Sequence, residues 1–196
     1  MKVSHRISQK YKGYTLVEIL VVVAIVGILA GISVPIGTRI YNKGLETDAR
    51  SQMKQFVQGA NDFAKDHGSL TYGLFTDTTD RSIESNSTDS VYTGYLEILS
   101  GNGNSLTGKN YISLPEAEND RSGLVYTSGV PTSLLDPWGN PYTLAFDFDY
   151  DGHVNNANAR MGDFVSIDNA LSTGKVLMIC SGPDGAFGGG DDFKSE

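Results

Sequence analysis

Lys12-Gly13-Tyr14-Thr15-Leu16-Val17-Glu18 decides how this chain is read, because a basic leader ends there in a glycine and a long apolar run begins, broken once by an acid. From Ile19 to Ile36 there is no charge. A helix of that length rises about 27 Å, close to the roughly 30 Å hydrocarbon core of a bilayer. Glu18 therefore falls just inside a predicted membrane span, where an unpaired ionisable side chain costs about 2.5 kcal/mol or more. A carboxylate at that depth calls for a cation at matching depth. Cleavage after Gly13 would create one, the α-amine of Tyr14.

The stretch resembles the class III signal of type IV pilins and type II secretion pseudopilins, in which Gly precedes an aromatic-led apolar run with Glu at its fifth position. The resemblance implies that a prepilin peptidase cuts after Gly13 and N-methylates Tyr14. It also implies that Glu18 pairs with the terminal amine of a neighbouring subunit as a filament assembles. Tyr14 stands where the family usually has Phe, which keeps the ring and adds a hydroxyl. An ordinary secretory signal or an uncleaved anchor also opens with a basic region before an apolar stretch. Here, however, no A-x-A-like cleavage site follows the apolar core, and an acid interrupts its start.

The 196 residues leave room for one modest domain beyond the anchor. Lys2, Arg6, Lys10 and Lys12 lie in the leader, so cleavage lowers Lys+Arg from 15 to 11 against 23 Asp+Glu, a formal side-chain net of −12. A body that acidic repels phosphate backbones, which argues against nucleic acid as a partner, and it invites cations. The basic leader before an acidic body predicts a single pass with Met1 in the cytoplasm and a globular domain that is periplasmic or exported. The resemblance implies that the membrane is the bacterial inner membrane, with the domain in the periplasm. Cys180 is the sole cysteine and sits in an apolar run, so a buried free thiol is expected rather than a disulfide.

The expected organisation is a cleaved leader at 1–13, a membrane and assembly half of helix 1 at 14–36, an amphipathic half at 37–67, and a globular domain at 68–196 ending in an acidic Gly-rich loop. Ala49, Met53, Phe56, Ala60 and Phe63 recur at alternating four- and three-residue steps, which is one helical stripe. Arg50, Lys54, Asp62 and Lys65 lie mostly off it, and His67-Gly68 is a predicted stop. Pro35 predicts a kink or an unravelled turn. Gly27-x-x-x-Gly31 fits a close helix contact within a membrane, though glycine is common in such spans anyway. Ser69 to Asp89 reads as a surface loop, Val91 to Leu99 as a short helix closed by Gly101, and Gly101 to Gly108 as another loop.

Beyond Leu124 the signals are those of strands and turns. Asp136-Pro137-Trp138-Gly139-Asn140-Pro141 cannot be helix interior. Tyr142, Leu144, Phe146, Phe148 and Tyr150 alternate with Thr143, Ala145, Asp147, Asp149 and Asp151, the period of a strand with one apolar face, and Asp151-Gly152 offers a hairpin turn. Lys175 to Cys180 predicts a more buried strand. The fold class expected is α+β, a pilin-like layout with a long N-terminal helix across a small antiparallel sheet.

Two carboxylate clusters stand out. Asp147-x-Asp149-x-Asp151-Gly152 resembles the opening of a calcium loop, but Asn158 occupies the position of the closing Glu, and a solvated acidic strand face explains the same residues. In the tail, Asp184, Asp191 and Asp192 are expected to converge through a loop holding Gly185, Gly188, Gly189 and Gly190, the alternative being a frayed acidic tail. Calcium takes about six to eight oxygens, so backbone carbonyls, that of Ser181 among the candidates, and water would complete such a shell. Leu135 to Tyr142 together with Ser181-Gly182-Pro183-Asp184-Gly185 and the later Asp pair resemble the major, G-type pseudopilin of type II secretion. That resemblance implies structural calcium at Asp184, Asp191 and Asp192, and does not extend over 69–134.

The function expected is that of a structural subunit of a type II secretion pseudopilus, polymerising through helix 1 to drive export. Its partners would be further copies of itself, the prepilin peptidase, minor pseudopilins and the inner-membrane assembly platform. The alternative is a major or minor type IV pilin serving adhesion or motility, although such pilins often close a C-terminal loop with a disulfide that one cysteine cannot form. An exported enzyme is disfavoured: His67 and His153, the histidines left after cleavage, lie in no HExxH motif and beside no G-x-S-x-G elbow, and Gly188-Gly189-Gly190 lacks the GK[ST] of a phosphate loop.

Overall fold

The computed structural model describes residues 13–70, 81–84, 90–101, 108–147 and 176–195, without the side chains of 32–38, 81 and 84. The basic residues of the leader, Asp149, Asp151 and His153 lie outside the described residues, as do most of the two predicted loops. Two compact units meet between Lys43 and Gly44. The elements in chain order are α1 (Leu16–His67), β1 (Arg81–Glu84), α2 (Ser90–Leu99), β2 (Gly123–Thr127), β3 (Val130–Leu135), β4 (Thr143–Phe146), β5 (Val176–Cys180) and β6 (Phe193–Lys194). This is the expected α+β layout, a long N-terminal helix with small antiparallel sheets.

In the first unit α1 is apolar on every side. Val21, Val22 and Val23 point in directions about 100° apart, yet they are 48%, 56% and 64% exposed, so no side is sheltered. The helix runs on through Pro35 without an unravelled turn. Proline removes a single backbone donor, and a long helix tolerates that loss.

In the second unit the predicted stripe is the buried one: Ala49, Met53, Phe56, Ala60 and Phe63 are almost inaccessible. The helix stops at His67, with Gly68 in the left-handed region at φ 74°. Gly59 is buried within the helix because Tyr111 and Ile112 cross it so closely that a Cβ there would lie 2.6 Å from the Tyr111 carbonyl oxygen. That crossing strand of chain is pinned at both sides. Tyr111 and Ile112 donate their amides to Leu99 O at 2.8 and 3.0 Å, while Asp66 accepts from Lys109 Nζ at 2.7 Å and Tyr111 Oη at 3.1 Å. These donors hold the Asp66 carboxyl below its ordinary range.

Tyr95 of α2 is the centre of the aromatic packing. Its ring meets Phe56 and Phe63 of α1 at 6.4 and 6.1 Å and Phe146 of β4 at 5.2 Å, all edge to face. The main sheet has the order β1-β4-β5-β6, antiparallel throughout, with Ala145 opposite Leu177 and Cys180 opposite Phe193. β2 and β3 form a separate hairpin, in which Ser128 and Gly129 both take positive φ, as a tight two-residue turn requires.

Two expectations are corrected. Arg81–Glu84 is an edge strand inside the segment predicted to be loop, with Ile83 buried and paired to Leu144. β4 is not half solvated: Thr143 and Ala145 are as buried as Leu144 and Phe146, and Asp147 is only 4% exposed. An antiparallel strand commonly leaves one face to solvent, but β4, between β1 and β5, is buried on both faces. The Asp149 and Asp151 part of the predicted strand lies outside the described residues.

The turn after β3 is built on Asp136. Its Oδ1 accepts the amides of Trp138 and Asn140 at 2.9 and 2.8 Å, and its Oδ2 accepts from Cys180 Sγ at 3.2 Å. Cys180 is thus buried and free, as expected. Burial pushes the Asp136 carboxyl above its ordinary pKa despite these donors, and pushes the Cys180 thiol up as well. A raised carboxyl pKa means the folded chain holds a proton that the unfolded chain has released. Stability from this group therefore falls as pH rises from the ordinary carboxylate range through the raised value. Melting temperature measured from pH 4 upward should decline by this contribution in the wild type and not in Asp136→Asn, whose amide oxygen still accepts from Trp138 and Asn140. Parallel pH profiles for the two proteins would contradict it.

Candidate functional site

The residues singled out by the sequence lie in two places, one in each unit. At the start of α1, Thr15 is the capping residue and Glu18 the third residue of the helix. Glu18 Oε2 accepts from Thr15 N at 2.7 Å and Thr15 Oγ1 at 2.8 Å, and Thr15 Oγ1 accepts from Glu18 N at 3.2 Å. This is a capping box, in which side chain and backbone satisfy each other's orphan groups at a helix start. The T-x-x-E signature is visible in the sequence, yet reading Glu18 by charge alone passes over it. Gly13 and Tyr14 precede the helix and are exposed, Tyr14 by 82%, as a peptidase substrate needs to be.

Among the described residues no helix is long and apolar enough to cross a membrane. Side chains at 32–38, which would complete the span expected from the sequence, lie outside that description.

In the second unit the two tail motifs are brought into contact. Asn140 Nδ2 donates to Gly182 O at 2.9 Å, and a Cβ at Gly185 would stand 2.8 Å from Asn140 Oδ1, so the Asp136 turn and the 181–185 turn interlock. Asp184 Oδ1 accepts from Ala186 N at 2.9 Å. Asp184 Oδ2 and Asp191 Oδ1 both face Gly189, where a Cβ would lie 2.6 Å from each. Asp192 is arranged differently: Oδ2 accepts from Gly188 N at 2.7 Å, and Oδ1 is buried with no hydrogen-bond partner among the described residues.

These are the features that calcium coordination by this tail requires in part. Two carboxylates converge on a point that only glycine leaves open, and a third has one buried oxygen unsatisfied. The convergence is incomplete, since among the described residues no three Asp, Glu, His or Cys side chains gather as a metal-ligating group. Asp147 lies at the end of β4, buried, rather than in a solvated face. His67 Nδ1 lies 3.1 Å from Phe63 O and its ring stacks on Phe63 at 4.6 Å, the place of a helix-terminal residue.

The capping box predicts a measurable local effect. Thr15→Val keeps the backbone amide but removes both hydroxyl bonds, a loss of about 1 kcal/mol at the helix start. Amide exchange of Glu18 in detergent should then quicken about fivefold. Unchanged exchange would show that the cap contributes nothing there.

Comparison with known proteins bears on the N-terminus. Residues 8–34 match the family described as the prokaryotic N-terminal methylation motif. No curated protein and no solved structure matches the chain. The matched segment contains Gly13, Tyr14, Thr15 and Glu18 together with the apolar run. The chain therefore carries, at its N-terminus, the prepilin-type processing signal of type IV pilin-like proteins.

Proposed function

We propose that the protein is a structural subunit of a type II secretion pseudopilus. The observation that carries this reading is the start of α1: apolar side chains exposed on every side of the helix, with one carboxylate held in its first turn under a methylation motif. Such a surface has no stable place in water. It is satisfied first by the bilayer and then by other copies of the same helix. The prepilin peptidase cuts after Gly13, Tyr14 becomes the methylated terminus, and the span of 14–36 anchors the subunit in the inner membrane with its domain in the periplasm.

Within the polymer Glu18 takes the terminal ammonium of a neighbour. The cap already supplies it with two donors but no cation, and a charge left bare in a low-dielectric site is the costly state. Pairing sets the depth at which each incoming subunit stops. No catalytic step is asked of the chain, and minor pseudopilins and the assembly platform would be its remaining partners.

The tail favours the pseudopilus over a pilus. Cys180 is buried and donates to Asp136, so the C-terminal loop is closed by hydrogen bonds in place of a disulfide. We further propose that the tail holds structural calcium, with Asp184 and Asp191 providing converging oxygens and Asp192 its unsatisfied one. When bound, the ion would supply the positive charge that lets three carboxylates stand together.

Mass spectrometry of the mature chain should give an N-terminus at methylated Tyr14. Glu18→Ala should be cleaved normally but assemble few or no filaments; wild-type filaments from that variant would contradict its role. Short periplasmic filaments beside a secretion channel would distinguish the pseudopilus from long surface pili. Calcium at about a hundred times its dissociation constant should stabilise the domain by roughly 2.7 kcal/mol. Chelator should remove that increment from the wild type and leave Asp191→Ala unaffected, whereas coincident wild-type melting curves would eliminate the ion.

A further inference from the structure

In the second unit α1 has a different flank on each side of its buried stripe. At about 100° per residue, Asp48 and Gln52 fall some 60–100° to one side of the line through Ala49, Phe56 and Ala60. Arg50 and Lys54 fall about 100–140° to the other. On the first flank Ser122 Oγ donates to Asp48 Oδ2 and accepts from Gln52 Nε2, each at 2.6 Å, which ties the loop 116–122 to the helix. That loop presents Glu116, Glu118 and Asp120, all exposed and without an ion-pair partner among the described residues, with Arg121 beside them. Its shape is fixed. Asn119, Asp120 and Ser122 hold left-handed φ of 53°, 57° and 55°, and Glu118 and Arg121 exchange backbone hydrogen bonds at 3.1 and 3.2 Å.

On the second flank Arg50, Met53, Lys54, Lys194 and Ser195 line a cleft of about 120 Å³. The Arg50 guanidinium lies 4.5 Å from the centre of the Phe193 ring and pairs with Glu46 at 3.0 Å. Lys54 and Lys194 are exposed and have no carboxylate partner among the described residues. In a chain with 23 acids and 15 bases, two lysines that meet no carboxylate among the described residues, set beside the Arg50–Glu46 pair, make this cleft locally more positive than the chain as a whole.

We propose that this cleft receives the acidic loop, Glu116 to Asp120, of a second copy of the chain. The inference rests on the filament reading above and names the contact by which the globular domains meet. Complementary patches on opposite flanks of one helix give a head-to-tail contact that repeats without closing, as a polymer needs. Each exposed charge pair is weak and screened by salt, but the contact recurs at every subunit.

The test uses the full chain in cells that assemble it. Lys54→Cys combined with Glu118→Cys should give an oxidation-dependent ladder of multimers of this chain, and neither single variant should, since Cys180 is buried. Lys54→Glu with Lys194→Glu should lower the polymer about tenfold, and adding Glu116→Lys with Glu118→Lys should restore it to within about twofold. Wild-type polymer levels from the doubly reversed cleft would overturn this contact while leaving the filament reading intact. So would cross-links from position 54 to a different protein. A wild-type chain that keeps residues 1–13 and never polymerises would overturn the filament reading, and this contact with it.

Discussion

Helix 1 has to satisfy two surroundings in succession, and the rest of the molecule follows from that constraint. Over Leu16–Gly31 its side chains are apolar in every direction and exposed. From Ala49 onward the apolar positions contract to one stripe, which Tyr95, Tyr111 and their neighbours cover, with Gln52 buried beside it. A uniformly apolar helix cannot choose a side on which to fold a domain, whereas a striped one can do little else. The division between Lys43 and Gly44 falls where the pattern has changed.

The sole acid in the apolar stretch has to be reconciled with its surroundings twice. A helix start leaves backbone amides without acceptors, and Glu18 answers the Thr15 amide while Thr15 answers that of Glu18. Capping settles hydrogen bonding but not charge. Both bonds to the carboxylate fall on Oε2, so Oε1 remains able to accept from a cation. Cleavage after Gly13 leaves the Tyr14–Thr15 peptide intact, and with it the Thr15 amide on which the cap depends. In the proposed mechanism the subunit thus reaches assembly with its carboxylate oriented and still one partner short.

Much of this was legible in the chain. The stripe, its stop at His67-Gly68, α2, the buried strand β5 and the free thiol all follow from residue period and type. What escaped depends on pairing across sequence distance. Arg81–Glu84 offers a single inward apolar residue, Ile83, and becomes a strand only because β4 presents an open edge. Thr143 and Ala145 read as an outer face because nothing in the local pattern says that a second layer covers them. The Cys180 bond to Asp136 spans 44 positions and has no local signature. At the tail the converging acids Asp184 and Asp191 could be anticipated from spacing. The different orientation of Asp192 could not, as it turns on one backbone amide, that of Gly188.

The tail is held from beneath as well as by its own acids. Asp136 accepts two amides of its own turn and the thiol of β5, and Asn140 of that turn reaches across to Gly182. Burying a carboxylate is unfavourable, and the rise in its pKa records that the donors only partly offset desolvation. What the arrangement secures is position: β5 delivers Ser181 and Gly182, Asn140 fixes them, and Ala186 N fixes the Asp184 carboxylate before any ion is considered. An ion bound there would therefore find the Asp184 carboxylate already oriented. Its main work would fall on Asp192, whose buried oxygen has no partner among the described residues, and on the mutual repulsion of Asp184 and Asp191 across Gly189.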